Sequence, residues 1–186
     1  ASSCDPMGNA CGYSRSPNAK SICGSLGYAL PDARYADKTV ILTDDLVDYP
    51  NTPTSISEHD VDYVVVVDSV GDSSKIASGA IRDTKNPRDI LLAKTACKVI
   101  VNSGYFRNVF SIQTGSGGAS LAVVKYLRQS MIEQNVKASF ALGGITSHMV
   151  KLHKEGLIDH LIDVQSFDRV AAESLRDDPK HKEVSA

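Results

Sequence analysis

The stretch best suited to chemistry is Gln113-Thr114-Gly115-Ser116-Gly117-Gly118. Glycines between a strand and a helix let the backbone turn tightly and approach a ligand closely. The first N–H groups of the following helix then point outward without partners. With the helix dipole they favour a phosphate, a carboxylate or a developing oxyanion. The string is not a Walker A loop, since no Gly-Lys-Ser/Thr follows. It is also not a full Gly-x-Gly-x-x-Gly fingerprint with an acid after the next strand. Tight strand–helix packing without a ligand is the competing reading. A second strand–turn–helix, Gly143-Gly144-Ile145-Thr146, comes one unit later. Neighbouring strands would open both turns at one carboxyl edge of the sheet, where open α/β sheets bind ligands. The expected binding residues are therefore Gly115, Ser116, Gly117 and Gly118, with Gly143, Gly144 and Thr146 beside them.

The other reactive side chains form weaker patterns. His148 and His153 are five apart and share a helix face poorly, and His-Glu-x-x-His is absent. His59, His160 and His181 stand singly, and no carboxylates cluster at ligand spacing, so no metal site is expected. Ser103 lacks a Gly-x-Ser-x-Gly elbow and reads as a turn residue. Cys4, Cys11, Cys23 and Cys97 match no zinc spacing and form no Cys-x-x-Cys pair. A chain of this size with a large apolar core does not need staples, so reduced thiols are expected.

The elements that must position the glycines follow from hydrophobic pattern. Residues 1–36 are rich in Gly, Ser, Asn and Cys without a sustained period, and read as a loop-rich segment with a helix near Ser25–Ala33. Thr39–Thr43 reads as a strand, and Asp60–Asp68 as a central strand apolar on both faces. Asn86-Pro87-Arg88-Asp89 opens a helix, with Asn as N-cap and Pro at the first helical position. That helix is expected to run towards Cys97, with Val99-Ile100-Val101 following as a strand. Val109–Gln113 then reads as a strand and Ala119–Asn135 as an amphipathic helix with a Val123, Val124, Leu127, Met131 stripe. Ala138–Leu142 reads as a strand, Gly143-Gly144 as a turn, and Thr146–Glu155 as a helix closed by Gly156. Leu157–Val164 is expected as a strand, Asp168–Arg176 as a helix, and the segment from His181 as the start of a last strand. This alternation means βαβ units and a parallel sheet, with residues 37–186 as one α/β domain.

Composition narrows the function classes. The chain has 186 residues, 42% apolar and 23% charged, at a net charge of −2. Such a chain can bury a substantial core. It has no basic excess with which to hold a phosphate backbone, so nucleic acid is not an expected partner. Val64–Val67 falls far short of the ~20 apolar residues that span a bilayer, and the start carries no secretion signal. No membrane association is expected. The abrupt stop after His181–Ala186 reads as a piece of a longer polypeptide.

Longer strings carry a resemblance. Val101-Asn102-Ser103-Gly104-Tyr105-Phe106, and the run from Phe110 through Gly115-Ser116-Gly117-Gly118 to Ala122, resemble the citrate lyase alpha-subunit family within the CoA-transferase superfamily. So do Phe140–Thr146, Leu161–Asp168 and Cys23–Ala29. The resemblance covers essentially the whole chain. It implies a three-layer CoA-transferase-like α/β fold, a parallel-rich sheet with helices on both faces. It implies citrate CoA-transferase activity, in which citrate displaces acetate from the acetyl thioester of an acyl carrier subunit. The implied partners are a lyase (beta) subunit and an acyl carrier (gamma) subunit, in a cytoplasmic oligomer. No tightly bound cofactor is implied; the carrier's CoA-like prosthetic group, or CoA itself, is substrate. The wider superfamily uses a glutamate nucleophile. Glu58, Glu133, Glu155 and Glu173 fall in expected loop or helix and Glu183 at the end, so the catalytic residue stays unassigned and is expected outside this chain. Another acyl-CoA transferase or acetyl-CoA hydrolase, or a non-catalytic half-domain that docks the carrier, are the alternatives. A sugar-phosphate isomerase lacks a paired acid–base set here.

Overall fold

The alternating pattern of the second half folds as a series of βαβ units with parallel strands. The computed structural model describes residues 1–16, 22–76 and 84–186. Part of the loop-rich segment, residues 17–21, lies outside them. In the N-terminal part, β1 (Ser3–Cys4) and β2 (Ala10–Cys11) pair antiparallel, followed by helix α1 (Ala29–Tyr35). Strands β3 (Val40–Thr43) and β4 (Tyr63–Val66) pair parallel. Cys4, Ala10, Ala33, Ile41 and Ile56 form one buried cluster, which ties the N-terminal segment to β3.

The second half begins with α2 (Pro87–Val101), capped by Asn86, whose side chain accepts from the Arg88 N–H. Then come β5 (Phe110–Ile112), α3 (Gly118–Glu133), β6 (Ala138–Ile145), α4 (Ser147–Lys154), β7 (Ile158–Ser166), α5 (Arg169–Asp177) and β8 (His181–Glu183). The four strands form a parallel sheet in the order β5-β6-β7-β8. Sequential order with right-handed crossovers sets α3, α4 and α5 on one face. Leu121, Val124, Leu127 and Met131 of α3 pack there with Met149, Val150 and Leu152 of α4 and with Ala138, Ala141, Ile158 and Leu161 of the sheet, all buried. Across the β6–β7 pair Phe140 lies opposite His160, and Leu142 opposite Ile162.

Three expectations are corrected. Val99-Ile100-Val101 is the last turn of α2, not a strand; a short β-branched run fits either element, and packing of α2 on α3 decides. Asp60–Asp68 is not a doubly covered central strand. β4 spans Tyr63–Val66, its one strand partner among the described residues is β3, and Tyr63 is 59% and Val66 56% exposed. An all-apolar strand announces two faces suited to burial, but not what covers them. Gly143 and Gly144 are not a turn: they lie inside β6, where the register against β7 shifts. Gly143 has φ +108°, which lets the strand kink and continue to Ile145.

Candidate functional site

The β5–α3 connection runs through Gln113, Thr114, Gly115 and Ser116 to Gly117, the N-cap of α3. The Gly117 backbone (φ −69°, ψ 151°) leaves the strand direction, and its carbonyl accepts the Leu121 N–H at 3.0 Å. No side chain caps the helix, so its first-turn N–H groups are not taken by one. A Cβ built on Gly117 would meet nothing within 4 Å, so that side of the turn is open. Gly118 is the first helical residue, and Ser116 is half-buried.

Beside this turn is a cavity of about 720 Å³. Its mouth at the helix end is formed by Gln113, Thr114, Gly115 and Ser120. It continues along β5 to the loop Tyr105–Val109, with Val123 of α3 in its wall rather than in the core. Ser103, read from sequence as a turn residue, lines it too, its hydroxyl donating to the Ile100 carbonyl at 2.7 Å. The cavity pairs apolar walls with polar groups at both ends, Gln113, Thr114 and Ser120 beside the helix and Ser103, Arg107 and Asn108 by the loop, a make-up suited to a small molecule.

The second glycine pair is near the first but built differently. A Cβ on Gly143 would come 2.9 Å from Gln113 Nε2, so the Gln113 side chain lies directly over Gly143 and joins the two segments. A Cβ on Gly144 would come 1.8 Å from the Phe167 ring, which makes Gly144 a close-packing position. Thr146 is the fully buried N-cap of α4, and its hydroxyl has no hydrogen-bond partner among the described residues. The Ser147 N–H donates to Asp168 Oδ2 at 2.7 Å, so this helix start already holds a carboxylate from the chain itself.

None of the five glutamates lines the cavity. Glu58 accepts from Asn9, Glu133 from Gln129, Glu155 from Arg128 and Glu173 from Arg169. Glu183 is half-buried in β8 and accepts the N–H of Leu26 at 2.6 Å and of Gly12 at 3.1 Å. Burial pushes its carboxyl above the usual range in spite of these bonds, and the nearby Asp163 adds to the rise. Sequence reasoning missed its neighbourhood. Asp163 Oδ2 accepts from Ser166 Oγ at 2.5 Å and lies 3.2 Å from His181 Nε2, while His181 Nδ1 lies 3.0 Å from Ser174 Oγ. Asp163 and His181 are closed to water, so this Ser–His–Asp set holds elements together and reaches no substrate. The four cysteines are free thiols, and burial raises Cys4 to about 11 and Cys11 to about 12. Among the described residues no group of His, Cys, Asp and Glu could hold a metal ion, and no helix is long and apolar enough to cross a membrane.

Comparison with known proteins gives concordant matches. The family described as citrate lyase, alpha subunit, matches residues 1–186. The citrate lyase alpha chain of Haemophilus influenzae is 56% identical over 183 residues, 98% of this chain and 36% of that one. The Escherichia coli alpha chain is 55% identical over 184 residues, 99% of this chain and 35% of that one. The chain thus spans about a third of the length of the curated relatives it matches. A crystal structure described as the alpha subunit of citrate lyase from Streptococcus mutans, in complex with citrate, is similar at 55% identity. Its TM-score is 0.84, over 100% of this chain and 36% of that one. A malonate decarboxylase alpha subunit from Acinetobacter baumannii, 18% identical, shares the fold at a TM-score of 0.54 over 88% of this chain and 29% of that one.

Proposed function

Because this chain belongs to the citrate lyase alpha-subunit family, we propose that it forms the binding half of a citrate CoA-transferase site. The observation that carries this reading is the uncapped start of α3 at Gly117, open to solvent and adjoining the cavity that Gly115 and Ser120 border. Such a helix start stabilises either a phosphate of a CoA-like group or the oxyanion that develops on a thioester carbonyl. The apolar walls along β5 suit the uncharged arm of such a ligand. Gly115, Ser116, Gly117 and Gly118 are the proposed contacts, and Gly143, Gly144 and Thr146 shape the adjacent edge through Gln113.

In the exchange, citrate replaces acetate on the thioester of an acyl carrier subunit, giving a citryl thioester and free acetate. The working partners are a lyase subunit and that carrier, in the cytoplasm, with no tightly bound cofactor. A carboxylate nucleophile would have to face the cavity, and each glutamate here is engaged elsewhere. Residues 1–186 alone are therefore proposed to bind ligand without turnover. The test is acetate release from an acetyl thioester in the presence of citrate, run with residues 1–186 and with the longest chain the gene encodes. Turnover by the longer chain alone fits the proposal, and comparable turnover by both puts the reacting groups inside residues 1–186. Hydrolysis of acetyl-CoA without a citrate requirement would favour the hydrolase reading instead.

A further inference from the structure

Gln113 is the first residue after β5, and its side chain crosses to the neighbouring strand. It lies on Gly143, where a Cβ would come 2.9 Å from Gln113 Nε2, 3.2 Å from Cδ and 3.3 Å from Cγ. A side chain at position 143 would therefore push the carboxamide away. Gly143 also has φ +108° and stands where the register of β6 against β7 shifts. The notch is thus made by the backbone as well as by the missing side chain. Gln113 is supported there from Cγ outward, yet its amide makes no hydrogen bond to any of the described residues. Fixing a glutamine costs rotamer freedom, and no such bond offsets that cost.

The position of the amide adds the second observation. Gln113 borders the cavity at the uncapped start of α3, beside the carboxyl ends of β5 and β6. Open α/β sheets collect ligands at that edge. Among the described residues Arg107 is the one charged side chain in the lining, so no carboxylate in the wall repels an anion. The Thr114 hydroxyl donates to the Gly115 carbonyl at 2.8 Å and is spent on the turn. The Gln113 amide keeps two N–H donors for whatever enters.

We propose that Gln113, seated on Gly143, donates a hydrogen bond from Nε2 to an oxygen of the acyl group that the chain exchanges. The inference rests on the citrate CoA-transferase reading and adds to it a side-chain contact outside the glycine turn. Two oxygens have the required chemistry. The thioester carbonyl gains charge in the transition state, so a donor to it acts on kcat. A carboxylate of citrate is charged before and during reaction alike, so a donor to it acts on the KM for citrate.

The test follows acetate release from an acetyl thioester against citrate concentration, with the longest chain the gene encodes. Gln113→Met keeps the length of the side chain and its packing on Gly143 but removes both donors. With the melting temperature unchanged, it should lower kcat about tenfold or more where the thioester oxygen is the acceptor. Where a citrate carboxylate is the acceptor, it should raise the KM for citrate by about as much. Gln113→Glu sets a negative charge against the same oxygen and should be worse than Gln113→Met in either case. Gly143→Ala should reproduce the loss in the molecules that remain folded, and joined to Gln113→Met it should add little. Native kcat and KM in Gln113→Met would overturn the contact and leave the exchange reading standing. A lowered melting temperature with native kinetics would place the amide's bond within the polypeptide and overturn the contact too. A native chain that does not exchange citrate for acetate would overturn both.

Discussion

The two ends of the four-stranded sheet treat their polar groups in opposite ways. At the β7–β8 end, Asp163, Ser166, Ser174, His181 and Glu183 are engaged with one another or with the backbone of Gly12 and Leu26. At the β5 end, the first turn of α3 has no side-chain cap, a glycine faces open space, and a cavity follows the strand edge. Chemical character alone does not separate them, since the closed end holds the more reactive side chains. What separates them is how far the chain has already supplied partners, although Asp163 Oδ1 at the closed end is a buried acceptor with none among the described residues. Buried polar groups satisfied internally fix architecture, and donors without an internal partner beside a cavity are available to a ligand.

The largest expected effect lies at the closed end. Asp163→Ala would strip Ser166 and His181 of a common buried acceptor and should cost about 3 kcal/mol in chemical denaturation. CoA affinity of molecules that remain folded should be little changed. A loss under about 1 kcal/mol would mean that the network is not what seals this end.

Next in size is a comparison of two glycines at the open end. Gly144→Val drives its side chain into the Phe167 ring and should cost about 2 kcal/mol or more of stability. Gly117→Val enters open space at a backbone conformation valine accepts, so its stability should change by less than about 1 kcal/mol. It should, however, weaken CoA binding about tenfold or more, because the branched side chain stands where ligand would meet the helix. Calorimetry beside a melting curve reads both. Unchanged affinity and melt in Gly117→Val would reduce the turn to a packing device.

The smallest effect concerns pH at the closed end. Burial raises the Glu183 carboxyl, so the folded chain holds that proton more tightly than the unfolded chain does. The stability this contributes is whole below the ordinary carboxylate range and is lost as pH rises through the raised folded value. Glu183→Gln takes no part in that titration. Its stability, measured by denaturation across this rise, should fall less steeply than that of the native chain. Parallel pH profiles would show that the Glu183 proton is not linked to folding.

The sequence by itself determined most of the second half. Asn86-Pro87 marked the start of α2, and the 3.6-residue stripe of Val124, Leu127 and Met131 marked the buried side of α3. The alternation from Val109 to His181 predicted a parallel sheet, because those signals are local and use backbone geometry that neighbours only reinforce. The glycine turn at 115–118 was legible for the same reason: its function as a turn is written in consecutive residues. Tertiary structure decided everything that depends on a distant partner. Gly144 is a glycine because Phe167 packs on it, and Val99–Val101 is helical because α2 packs on α3. The four valines of 64–67 did not say that β4 would have one strand neighbour. Asp163, Ser174 and His181 are spread over 19 residues and carry no periodic signal. The register of β7 against β8 and the packing of α5 on both strands close them into one network, since a hydrogen bond requires proximity that sequence spacing alone does not supply.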